Sequence, residues 1–200
     1  MNLKTLKGLT AVATLGLAAP AAMANVISLT PLTQIVDPGE EFTLEVRMDF
    51  LQETVGGAFD VFYDTALVDF VSFTYNDDFL ANIVDPAFTL VPDVCETSGA
   101  ANGGCSVGDA EINGIGFGNF DGILGSHLIG ELTFTAGSEG LATFLTASSD
   151  SLFGGFISAA TANELTVVYN GAAVLVTPIP AAVWMMLGGL GVLTRFRKRD

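Results

Sequence analysis

Positive charge is what this chain has least of: seven Lys and Arg stand against 22 Asp and Glu in 200 residues, for a formal charge of −15. Nucleic acid is excluded as a partner, because neutralising phosphates needs clustered cations and the middle of the chain carries only Arg47. Histidine and tryptophan each occur once. The single His127, in Gly125-Ser126-His127-Leu128, is accompanied by no G-x-S-x-G elbow, so no Ser-His-Asp hydrolase signature is present. Cys95 and Cys105 have no C-x-x-C spacing and no further His beside them, so they form no zinc or redox motif. The Gly-rich run Gly114-Ile115-Gly116-Phe117-Gly118 is not followed by Gly-Lys-Ser/Thr, which removes the phosphate-loop reading. Many carboxylates provide pairs of glycosidase type by residue kind, but an acidic excess this large makes pairs unremarkable, and the site content points to no enzyme.

The cations that exist are placed at the ends. Lys4 and Lys7 precede the apolar, small-residue stretch from Gly8 to Ala19, and Ala22-Met23-Ala24 has the A-x-A form of a signal-peptidase site. Residues 1–24 read as a secretory signal peptide cut after Ala24, with Ala22 and Ala24 as its specificity positions. At the other end no charge interrupts Leu165 to Thr194, and the run meets Arg195, Arg197, Lys198 and Arg199. A helix from Pro178 to Thr194 is about 25 Å long, just enough to span a bilayer, and the basic tail fixes it with the C-terminus inside. All acidic residues except Asp200 lie between these ends, so residues 25–176 form an acidic exported domain.

The order Thr177-Pro178-Ile179-Pro180-Ala181, apolar helix, basic cluster resembles the PEP-CTERM class of sorting signals, and within it the Val-Pro-Leu-Pro-Ala variant, with Thr177 and Ile179 as departures. Pro178 and Pro180 bias Thr177 and Ile179 towards extended backbone, the form that proteases bind. The resemblance implies that residues 177–200 are recognised by a membrane-embedded exosortase of a Gram-negative bacterium. It also implies cleavage near the motif and passage of the protein from the inner membrane to the cell envelope, outer surface or biofilm matrix. The alternative for the same segment is a permanent single-span anchor.

The domain between the ends reads as all-β. Phe42, Leu44, Val46 and Met48 alternate with Thr43, Glu45, Arg47 and Asp49, a half-buried strand. Further strands are expected at Val26 to Thr30, Ala58 to Tyr63, Leu67 to Tyr75, Phe88 to Val91, Ile112 to Gly118, Leu128 to Ala136, Leu141 to Thr146 and Leu165 to Val176, the last broken at Asn170-Gly171. Turns are expected at Asp37-Pro38-Gly39-Glu40 and at Asp64-Thr65-Ala66, the second returning the chain so that Ala58 to Tyr63 and Leu67 to Tyr75 form a pair with aromatics on both faces. No amphipathic helix is evident. This many short strands imply an antiparallel β-sandwich or jelly roll, with the 15 Phe filling its interior. Cys95 and Cys105 bracket a polar loop, and in an exported chain a disulfide between them is the expectation, contributing about 2.5–3 kcal/mol.

Val36-Asp37-Pro38-Gly39-Glu40-Glu41-Phe42, then Val55-Gly56-Gly57-Ala58-Phe59-Asp60-Val61-Phe62-Tyr63-Asp64 with Leu67, and Gly130-Glu131-Leu132-Thr133-Phe134 resemble cohesin domains. The resemblance implies a jelly-roll sandwich related to carbohydrate-binding modules and a non-catalytic role as an adhesion or scaffold module, binding a dockerin-like protein through one sheet face. The competing ligand is matrix or cell-surface polysaccharide, for which Tyr63, Tyr75 and Tyr169 are the candidate stacking residues. Protein binding predicts a sheet face with an apolar centre and a polar rim. Ca2+ is the one cofactor the carboxylates admit, at Asp77-Asp78 or at Asp37, Glu40 and Glu41, though neither cluster has the spacing of a ligand loop.

Overall fold

Alternation of apolar and polar residues carries through into ten strands. The computed structural model describes residues 24–90, 92–95, 110–149 and 154–178. The strands are β1 (Asn25–Thr30), β2 (Thr33–Val36), β3 (Glu41–Tyr63), β4 (Val68–Tyr75), β5 (Asp93–Cys95), β6 (Ala110–Ala136), β7 (Gly140–Ser148), β8 (Ile157–Ser158), β9 (Val167–Asn170) and β10 (Ala172–Val176). Among the described residues no helix is long and apolar enough to cross a membrane. The segment expected as a signal peptide, up to Met23, and the segment expected as a sorting signal, from Ile179 onward, lie outside the described residues, as do Cys105 and the side chain of Cys95.

β3 and β6 organise the sandwich because each serves both layers. The first half of β3 pairs with β1 and with the second half of β6, which in turn pairs with β4; β9 lies parallel to β1 at the edge. The second half of β3 pairs with β7 and with the first half of β6; β10 and β2 extend this sheet beyond β7, and β5 closes its other edge. Both long strands bend between their halves, where the register shifts at Phe50/Thr54 and Thr54/Gly56. Gly56 makes the bend possible: its φ is +133°, and a Cβ there would run into the Phe117 carbonyl. The bulges let one strand turn from one layer into the next.

Inward side chains of the two layers meet in one aromatic core. Phe134 in the first sheet touches the rings of Phe42, Tyr63, Phe70 and Phe144 at centroid distances of 5.7, 5.2, 5.6 and 4.8 Å. Tyr63 and Phe144 belong to the second sheet, so these contacts hold the layers together. Asn25, the first residue of β1, is buried; its Oδ1 accepts from Leu51 N and Gln52 N, and its Nδ2 donates to Thr166 O.

Four expectations need correction. The sandwich is not wholly antiparallel, since β9 pairs parallel to β1 and β2 parallel to β10. The segments 58–63 and 68–75 do not pair with each other: both pair with β6, since the Asp64–Leu67 turn carries the chain from one layer to the other. A short helix, Asp77–Asn82, is present, started by Asn76 whose Oδ1 accepts from Phe79 N and held down by buried Phe79. Phe88 lies in a 3₁₀ turn, Pro86–Phe88, opened by Asp85, and only Leu90 makes a bridge, to Gly116; a proline two residues before Phe88 favours the turn over a strand.

Candidate binding face

The outer faces of the two sheets differ in chemistry. On the first sheet, Thr43 stands opposite Thr133, Glu45 opposite Glu131, and Ser28 opposite Arg47, a hydroxyl and charged surface. Arg47 donates from Nε to Glu45 at 2.8 Å, and since both are exposed the pair contributes little stability.

On the second sheet, β10 is apolar on both sides, and β2 and β7 each turn aliphatic residues outward beside it. β7 reads Leu141-Ala142-Thr143-Phe144-Leu145 and β10 Ala172-Ala173-Val174-Leu175-Val176. Ala142, Phe144, Val174 and Val176 enter the core, so alternation sends Leu141, Leu145 and Leu175 outward. Pairing aligns them: Ile35 of β2 is opposite Leu175, and Leu175 is opposite Leu141. Directly opposed side chains lie within contact range, so this is one continuous aliphatic row. Exposure is 70% for Ile35, 40% for Leu175, 58% for Leu141 and 63% for Leu145. Leu145, separated from Leu141 by exposed Thr143, stands opposite half-buried Phe62 of β3. A strand apolar on both faces is the pattern of a sheet covered on both faces.

Carboxylates edge this row. The turn after β2 holds Asp37 and Glu40, whose Oε2 accepts from Asp37 N, and Glu139 precedes β7. No cation among the described residues lies on this sheet. The sequence marked these strands but not the row, although the unbroken apolar run 172–176 signals a strand with no solvent side.

The tyrosines expected as a sugar platform are not one. Tyr63 is buried in the core. The Tyr75 hydroxyl oxygen lies 2.9 Å from Leu90 O and 2.7 Å from Gly116 O, its one proton shared between the two carbonyls, tying β4 of the first sheet to β6 in the second. Burial pushes the Tyr75 phenol far above its ordinary range. Burial also raises that of half-buried Tyr169. Stability from Tyr75 is therefore fully present below about pH 10 and declines above it, because the folded state resists losing a proton that the unfolded chain gives up there. Tyr75→Phe is expected to cost about 1–2 kcal/mol at neutral pH and to flatten that alkaline decline, read by urea unfolding at pH 7 and pH 10.5.

The remaining candidates are structural. The His127 ring nitrogen Nε2 sits 2.9 Å from Leu124 O, and the ring lies against Phe79. Buried Asp60 accepts from Gly114 N at 2.8 Å across the β3–β6 bulge. Asp77 and Asp78 occupy the first turn of the short helix, where Asp78 accepts from Asn82 Nδ2. Among the described residues no three His, Cys, Asp or Glu side chains gather as a metal site. Thr177 N donates to Val36 O, so the fold reaches the first residue of the segment expected as a sorting motif, and Pro178 is exposed beyond it.

No protein-family model and no curated protein matches the chain. Solved structures do. The chain is similar to the OlpC and OlpA type I cohesin–dockerin complexes of Clostridium thermocellum, with TM-scores of 0.53 for both, at 10% and 14% identity, covering 81% and 77% of this chain and 99% of each matched chain. It is similar to the third ScaC cohesin of Acetivibrio cellulolyticus, solved in complex with the ScaB dockerin, with a TM-score of 0.52 at 14% identity over 76% of this chain and 98% of that one. The fold is cohesin-like.

Proposed function

We propose that the protein is a non-catalytic, exported protein-binding module of a bacterial envelope or exopolysaccharide matrix. Its aliphatic row on β2, β10 and β7 is the docking face, and a dockerin-like protein is the class of partner. The observation that carries this reading is the alignment of Ile35, Leu175 and Leu141 in one exposed row, with Leu145 beside them, on strands whose other side is already core. An apolar centre with a carboxylate rim is the anatomy of a protein interface. The acidic rim favours a partner with Lys or Arg around its contact, which speeds encounter and makes binding weaken with salt.

Export by residues 1–24 and exosortase sorting through Thr177, Pro178, Ile179, Pro180 and Ala181 complete the proposal. They are supported by the order of charge along the chain, with Lys4 and Lys7 before one apolar run and Arg195, Arg197, Lys198 and Arg199 after the other. The test is a pull-down from the envelope of the producing cells, run beside a glycan array. A protein retained by the wild type and lost from a variant altered at Leu141 and Leu145, with a blank array, is expected. Glycan binding that survives the change on this face overturns the reading.

A further inference from the structure

A second surface feature lies where β3 and β6 cross between the layers. An open cavity of about 150 Å³ has Val55, Phe88, Phe120 and Ile157 as walls, with Phe117 and Gly118 at its base. Phe120 is 77% exposed and stands edge-on to Phe88, centroids 4.8 Å apart. Gly118 keeps the base at backbone level: a Cβ there would come 2.8 Å from Val55 O and 3.4 Å from Phe88 Cβ. A space of this size holds one benzene-sized group and is too small for a drug-sized ligand.

Charge selects the occupant. Asp85 N donates to Gly118 O, which fixes Asp85 beside the base. Asp121 directly follows Phe120, and the carboxyl of Glu53 lies over Gly122. All three carboxylates are exposed, and the one described cation, Arg47, is engaged with Glu45 on the other sheet. We propose that this cavity receives a long basic side chain, lysine or arginine, from a partner polypeptide. The methylene stem packs between the Phe rings, Val55 and Ile157, and the cationic head stays at the wet rim among Asp85, Asp121 and Glu53. Long basic side chains bury stems and solvate heads in this way, and a cation near aromatic rings gains further. The cavity shares no lining residue with the aliphatic row, so the two proposals stand or fall separately.

The test is a titration of the ¹⁵N-labelled full chain followed by amide shifts. The probes are Nα-acetyl-lysine methylamide and its arginine, norleucine and glutamate counterparts. Lysine and arginine are expected to move the amides of Gly118, Asn119 and Phe120, half-saturating at a concentration about threefold or more below norleucine, which has a similar stem and no charge. Glutamate is expected to move none. Phe120→Ala, at an exposed position, abolishes the shifts, and Asp121→Asn weakens lysine about threefold without changing norleucine. The proposal is overturned by equal response to norleucine, by shifts that persist in Phe120→Ala, by no shifts up to tens of millimolar, or by response to phosphatidylcholine vesicles alone.

Discussion

Phe134→Ala is expected to remove about 3–5 kcal/mol of stability, a large share of the roughly 5–15 kcal/mol that a domain has. The ring is fully buried and contacts four other rings, two in each sheet. Its removal takes away apolar burial and edge-to-face contacts and leaves a void that both β-layers border, which neither can close without moving the other. Midpoints of urea and thermal unfolding read the effect, with the melting temperature expected to fall by about 10 °C or more. A loss below about 1.5 kcal/mol would mean that the layers do not depend on this cluster.

The second large effect is on binding and leaves folding alone. Leu141→Asp combined with Leu145→Asp puts one carboxylate at the β7 end of the aliphatic row and a second four residues further along the same strand. Both side chains are mostly in solvent, so the unfolding midpoint should hold to within about 0.5 kcal/mol for each change. Partner retention should fall about 100-fold or more, because two exposed apolar anchors are lost and the new charges would be desolvated against the partner. Matching changes on the other sheet, Thr43→Asp and Thr133→Asp, serve as the comparison and should leave retention intact. Retention that survives in the Leu141/Leu145 variant would move the docking face elsewhere.

What the amino-acid order made legible was local. Alternation in Phe42 to Met48 and Leu132 to Ala136 marks inward residues, and the turn residues at Asp37 to Glu40 and Asp64 to Ala66 mark where strands stop. Pairing was less accessible. Tyr63 and Val68 are near in sequence yet in different layers, because both pair with a strand that arrives more than forty residues later. The continuity of β3 and β6 through their bends depends on bulges, which interrupt the very period that identifies a strand. The aliphatic row was hidden for a related reason. Ile35, Leu141 and Leu175 become neighbours only through registers that join distant segments, and no local window contains them together. Tyr75 misled as a sugar contact because a tyrosine in an alternating strand looks the same whether its hydroxyl meets water or two carbonyls.

Photo-cross-linking from a single position gives the most direct reading of the docking face. A benzoyl-phenylalanine replaces Leu145 in the full chain made by its native cells, and in a parallel sample replaces exposed Glu131 on the opposite sheet. A discrete protein adduct from position 145 and none from position 131 is the predicted result. An adduct from 131 alone, or polysaccharide retention with no protein adduct at 145, would contradict a protein-binding face on β2, β10 and β7.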